Sequence, residues 1–168
     1  MTWIALLLAA SGSGWLDIPY VHQTGSGCGA AAVAMVIQYW ARQQPSLADA
    51  AMASERINED LPAGPKGIQG NALKSYLEAH GFDVFVFRGE RSDLEQQFQK
   101  GRPLVVCLGP KGARGPFHYA VVAGIDPEAV WLNDPARGKL IREDRRHFEA
   151  AWKESDNWSL LAVPRQLR

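Results

Sequence analysis

Between Ala30 and Trp40 the chain offers almost no polar side to a helix: Ala30, Ala31, Ala32, Val33, Met35, Val36, Ile37, Tyr39 and Trp40 face every direction. A helix apolar nearly all round belongs at the centre of a core. Thr24-Gly-Ser-Gly27 before it reads as a flexible turn, so the helix opens at Cys28. Upstream, Asp17 to Val21 reads as a short extended segment carrying Pro19. Downstream, Ser46 has the chemistry of a cap for a second helix reaching about Ile57. Asn71 to His80 forms a third, with Gly81 as its C-terminal stop.

The pattern then changes period. Phe82-Asp-Val-Phe-Val-Phe87 alternates as a strand does. Ser92-Asp-Leu-Glu95 has capping-box spacing and predicts a short helix ending before Gly101. Three strands follow, over Pro103 to Leu108, Tyr119 to Ile125 and Ala129 to Asn133. A final helix around Asp144 to Lys153 leads to a last strand, Ser159 to Val163. Helices first and strands afterwards predict an α+β fold with a cleft where the two halves meet.

The N-terminus adds a second kind of signal. Trp3-Ile-Ala-Leu-Leu-Leu-Ala-Ala10 is an apolar run followed by Ser11-Gly-Ser-Gly14, small residues that suit signal cleavage. No Lys or Arg precedes it, and it is far short of the ~20 residues that span a bilayer. Residues 1–14 therefore read as an export segment, with a buried strand as the rival, and residues 15–168 as one domain without repeats or low-complexity linkers. An extracytoplasmic location follows from the first reading and a cytoplasmic one from the second. Charge narrows the partners: 18 basic and 18 acidic residues cancel, which gives nucleic acid or a membrane surface no electrostatic claim. Arg137, Lys139, Arg142, Arg145 and Arg146, interrupted by Glu143 and Asp144, read as a solvated face.

Of the two cysteines, Cys28 lies at the mouth of the apolar helix and Cys107 inside Leu104-Val-Val-Cys-Leu108. Neither is part of a CxxC pair, so zinc has no ligand set here. A thiol is a useful nucleophile only as thiolate, which a helix N-terminus and an imidazolium both stabilise. Cys28 has the first by position; a buried core thiol is the plainer reading, and it suits Cys107 better. Of four histidines, His22 precedes the turn, His80 ends a helix and His147 lies among charges. His118 begins a strand after the Gly109 to Pro116 loop, itself a candidate rim, and by alternation shares a face with Ala120, Val122 and Gly124. Those are small residues, as a closely packed helix requires. A hairpin at Asp126-Pro-Glu128 sets His118 opposite a residue near Pro135 to Arg137 and Asp134 within diagonal reach, while Asn133 points to the other face. Gln23, across the turn from Cys28, can offer its amide to an oxyanion.

These residues look familiar in combination. Gln23 before Cys28-Gly-Ala-Ala31, His118-Tyr-Ala-Val-Val122, then Leu132-Asn-Asp-Pro-Ala136 with Gly138, resemble the C39 family of papain-like cysteine peptidases. Gly70 to Phe82 and Leu94 to Val106 resemble the intervening stretches, so the resemblance covers about residues 17 to 164. It implies a papain-like fold in which an N-terminal helical half, with the Cys-bearing central helix, packs against a C-terminal antiparallel sheet. It also implies Cys28 as nucleophile, His118 as general base, Asp134 as its orienter and Gln23 as oxyanion donor. Members of this family cut leader peptides after a Gly-Gly pair as N-terminal domains of peptide exporters, which implies association with an export system. No transporter helices or nucleotide-binding motif follow residue 164, which suggests the stand-alone C39-like proteins. Ala30 stands where the family often has Pro after Cys-Gly. The expected chemistry is peptide hydrolysis, for which a Cys–His pair needs no metal or organic cofactor. A papain-like acyltransferase or amidase would use the same four groups, and a peptide-binding module could keep the cleft without turnover.

Overall fold

The computed structural model describes residues 14–110 and 115–165. The apolar run from Trp3 to Ala10 lies outside them, as does the middle of the Gly109 to Pro116 loop. Helix α1 spans Cys28–Ala41, and every residue from Cys28 to Ile37 is buried. After a 3-10 turn at Pro45–Leu47 come α2 (Ala48–Ser54), α3 (Ile57–Asp60) and α4 (Gly70–Ala79). The second half is β1 (Phe82–Arg88), α5 (Arg91–Gln99), β2 (Leu104–Leu108), β3 (His118–Ile125), β4 (Ala129–Asp134), β5 (Gly138–Asp144), α6 (Arg145–Lys153) and β6 (Trp158–Pro164). The strands form one antiparallel sheet in the order β1-β6-β2-β3-β4-β5. This is the expected α+β architecture, with the cysteine-bearing helix packed against an antiparallel sheet. Among the described residues no helix is long and apolar enough to cross a membrane.

Two cores lie on opposite faces of the sheet. On one, α1 residues Ala30, Val33, Met35 and Ile37 pack with Leu73 and Leu77 of α4 and with Val105, Val121, Leu160 and Ala162 of the strands. On the other, Phe148 and Trp152 of α6 and Leu94 of α5 cover Leu104, Val106, Ala120, Val122, Val130 and Leu132. Burial on both faces explains why β2 to β4 read as nearly continuous apolar runs. It also corrects the expected face of His118. Ala120 and Val122 belong to the second core, not to the one containing α1, which rests on Tyr119, Val121 and Ala123. Both faces of β3 are closed by helices, so alternation alone does not assign the face that meets α1.

Three local expectations also shift. Pro45 opens the 3-10 turn with Gln44 as its cap residue, so Ser46 caps nothing. The helix after it breaks at Ser54, whose hydroxyl donates back to the Ala51 carbonyl at 2.6 Å and competes with the helical ladder. The capping box of α5 is Glu90 with Asp93 rather than Ser92 with Glu95, because Glu95 is drawn into an ion pair with Arg91 at 2.8 Å. Strand β5 lies where the run of charges predicts a solvated face. Its alternate side chains are exposed, yet its backbone pairs with β4, as suits an edge strand protected by charge. At the stop of α4, Gly81 adopts φ +91, where a side chain would be strained.

Asp17 to Val21 forms no ladder strand. It is held instead by single bonds that carry it along the sheet rim. The Leu16 N–H donates to Ala123 O at 2.6 Å, and the Tyr20 hydroxyl donates to the Asp134 and Pro135 carbonyls at 3.1 and 3.2 Å. Asn133, 0% exposed, donates from Nδ2 to Ile18 O at 3.1 Å and accepts the Leu140 N–H at Oδ1 at 3.0 Å. One amide thereby ties the N-terminal segment to β4 and to the entry of β5. Replacing Asn133 with Ala leaves both backbone partners unsatisfied, at about 1–3 kcal/mol each. Urea unfolding of Asn133→Ala is expected to show a lowered midpoint and a stability loss of about 2–4 kcal/mol.

Candidate active site

The turn before α1 is closed by the Gly27 N–H donating to Thr24 O at 3.0 Å, with Gly25 at φ +56. It delivers Cys28 as the first residue of the helix, 8% exposed. At this position the helix approaches β3 closely: a Cβ on Gly29 would sit 3.0 Å from Leu73 and 3.2 Å from the Tyr119 ring. His118 is the first residue of β3 and pairs with Leu108 of β2. Val121 pairs with Asn133 and Val122 with Leu132; continued to the strand start, that register sets His118 opposite Ala136. Asp134 is then diagonal to His118, and its Oδ1 lies 2.7 Å from His118 Nε2.

Each group's proton affinity follows from these contacts. Burial pushes the Cys28 thiol up, but hydrogen bonds from the His118 ring and the Tyr119 and Gly29 backbone, with the nearby imidazole charge, bring it below its ordinary value. For His118 burial opposes the charge, yet the hydrogen bonds to Asp134 and Cys28 and their charges raise it to about 9. Asp134 is pushed up by its own burial and pulled lower by His118, by the Ala136 N–H and by Arg137, for a net decrease. The shifts run downward for Cys28 and Asp134 and upward for His118, so each favours the charged form of its group. With Nε2 committed to Asp134, Nδ1 is the ring nitrogen left for the thiol.

Cys107 provides the contrast. It is 7% exposed, as deeply buried as Cys28, and lies in β2 opposite Tyr119. Without an imidazole, burial and the Cys28 charge push its thiol up to about 12.

Gln23 reaches the same rim. Its backbone N–H donates to Pro135 O at 3.0 Å and its side-chain Nε2 to Gly25 O at 2.5 Å, while Oε1 is buried without a hydrogen-bond partner. Asn133 faces Ile18, away from His118. The other histidines are elsewhere: His22 beside the Tyr20 hydroxyl, His80 stacked on Tyr76 at 4.1 Å, and His147 exposed on α6. A cleft of about 950 Å³ opens beside His118 and Asp134, with an apolar floor of Leu108, Pro110, Phe148 and Ala151 and with Arg137, Glu143 and His147 in its walls. Cys28 is not in its lining. Sequence reasoning missed Arg137 and Glu143, which it placed on a solvated face, and the Tyr119 N–H, which no side-chain motif encodes.

Comparison with known proteins follows the same outline. The model of the Peptidase_C39 like family matches residues 15–159. The Lactococcin-G-processing and transport ATP-binding protein LagD of Lactococcus lactis subsp. lactis is 25% identical over 131 residues, 78% of this chain. The chain spans about a sixth of that protein's length (17%). A double glycine motif protease from an AMS/PCAT transporter, solved with its leader peptide, superposes with a TM-score of 0.68 at 21% identity over 90% of this chain and 94% of that one. The peptidase domain of Streptococcus ComA, a bi-functional ABC transporter, gives 0.69 at 19% identity, over 89% of this chain and 100% of that one. These structures share the fold, and the family model, matching most of the length from the segment before the Cys28 turn to β6, settles the kinship: the chain belongs to the Peptidase_C39 like family of cysteine peptidases.

Proposed function

We propose that this chain hydrolyses peptide bonds through Cys28, His118 and Asp134, with Gln23 and the Cys28 N–H receiving the oxyanion. The observation that carries the reading is the His118 ring, bonded to Asp134 at Nε2 and engaged with a thiol of lowered proton affinity. The Cys28 thiolate attacks the scissile carbonyl and forms a tetrahedral oxyanion. The first N–H groups of a helix lack intrahelical acceptors, so that of Cys28 suits this charge. Gln23 gives one side-chain N–H to Gly25, and its amide carries a second. On collapse the C–N bond breaks, His118 Nδ1–H passes its proton to the leaving amine, and a thioester remains on Cys28. Water, deprotonated by the now neutral ring, attacks the thioester and releases the acid and the thiolate.

The family's double-glycine and leader-peptide members support substrates that present a Gly-Gly pair at the scissile bond. They also support a partnership with a peptide export system. A chain with glycines there brings no side chains to a helix start already crowded by Leu73 and Tyr119.

Labelling with iodoacetamide near neutral pH is expected to modify Cys28 fast and Cys107 hardly at all. His118→Ala should slow Cys28 by at least about tenfold, as its thiolate fraction falls toward that of an ordinary thiol. Equal, slow labelling of both cysteines overturns the proposal. The pH profile has a definite sign. The imidazolium must be charged to protonate the amine, so kcat/KM on a Gly-Gly peptide should fall as pH rises through about 9. Its acid limb should lie below the ordinary thiol value, where Cys28 takes up a proton. Gln23→Ala should reduce kcat by about 10²–10³-fold, the worth of one oxyanion donor, while leaving the Cys28 alkylation rate near wild type.

A further inference from the structure

The Asp134 carboxylate is held from two directions. Oδ1 accepts from His118 Nε2 at 2.7 Å and from the Ala136 and Arg137 backbone N–H groups at 2.9 and 3.2 Å. Oδ2 lies 3.8 Å from Arg137 Nη1. That guanidinium is in turn bonded to Glu143 of β5, across the turn that follows Asp134. The side chain of Asp134 is 4% exposed and that of Glu143 14%, so this chain of charges runs inward from a half-exposed Arg137. Arg137 and Glu143 line the same cleft as His118.

We propose that Arg137 is a positioning residue for the reaction: seated by Glu143, it anchors and partly neutralises the Asp134 carboxylate and so sets how tightly His118 holds its proton. This rests on the triad reading above. A bare buried carboxylate against the ring would hold the imidazolium so firmly that it became a poor acid toward the leaving amine. A guanidinium keeps its charge over the whole working range, so its field on Asp134 is constant. Other groups surround the couple: Cys28 from α1, Tyr20 from the N-terminal segment, Tyr119 and Cys107 from the strands, and His147 and Glu154 from α6 in the cleft wall. They are the same in every variant below and form a common background. An ordinary surface ion pair in this place would add little to stability and nothing to the ring's titration.

The test is an imidazole NMR titration of the full chain, with the His118 resonance identified by its loss in His118→Gln. Arg137→Gln removes a positive charge from the far side of Asp134 and should raise the His118 midpoint by about half a pH unit. Glu143→Gln removes the compensating negative charge and should lower it. Arg137→Lys should stay close to wild type, and so should Arg145→Gln, whose guanidinium pairs with Glu149 at 2.9 Å instead. The alkaline limb of kcat/KM should move with the midpoint in each case. A midpoint unmoved in Arg137→Gln, or moved in the same direction by both charge removals, overturns the proposal. Failure of the triad reading would show separately, as Cys28 alkylation indifferent to His118→Ala.

Discussion

A thiol and an imidazole from distant parts of the chain meet at the rim of the sheet, and the rest of the architecture keeps that contact closed. Each group alone would lose its charge to burial, since desolvation opposes the thiolate of Cys28 and the imidazolium of His118 alike. Together they reverse the penalty, because each is the other's counter-ion and hydrogen-bond partner. Such a pair tolerates little separation. The helix start therefore has to approach β3 at a glycine, and the helix has to be anchored on all sides so that it cannot recede. The all-apolar sequence of α1 is a mechanical requirement as much as a stabilising one.

The imidazole needs equal rigidity from the other side. His118 belongs to the strand face of Ala120 and Val122, in the core shared with α5 and α6, whereas Cys28 belongs to the helix on the opposite face. The thiol and the imidazole thus join two separately packed cores at the start of β3. The N-terminal segment secures the junction: Tyr20 bonds the carbonyls of Asp134 and Pro135, Gln23 bonds Pro135, and Asn133 holds Ile18.

Sequence pattern revealed the parts of this that local rules govern. The helix opening at Cys28 is written in a turn followed by an uninterrupted apolar run. The hairpin itself is legible in its turn, but the diagonal from His118 to Asp134 depends also on a register shift between Val122 and Gly124 that the turn does not encode. What escaped depends on competition between neighbours. Glu95 has the spacing for a capping box but is taken by Arg91, so Glu90 and Asp93 serve instead. The face of His118 cannot be matched to a helix from its strand alone, since both faces of β3 are buried. Arg137 and Glu143 look like solvent-facing charges because β5 alternates as an exposed edge does; their link to Asp134 arises from the turn that brings β5 beside β4.

The two cysteines separate the causes of thiol acidity more cleanly than either could alone. They differ by a single per cent in exposure, so desolvation acts on both thiols to a similar extent. One nevertheless falls below the ordinary thiol value while the other rises to about 12. Position along the elements accounts for the difference. Cys28, at a helix start, meets the N–H of Gly29, the N–H of Tyr119 and the ring of His118. Cys107 lies mid-strand with its neighbours' backbone groups already spent on the ladder, and the charge on Cys28 itself disfavours a second anion nearby. Burial raises both thiols, and only at Cys28 does the field the fold supplies, strengthened by the exclusion of water, outweigh it.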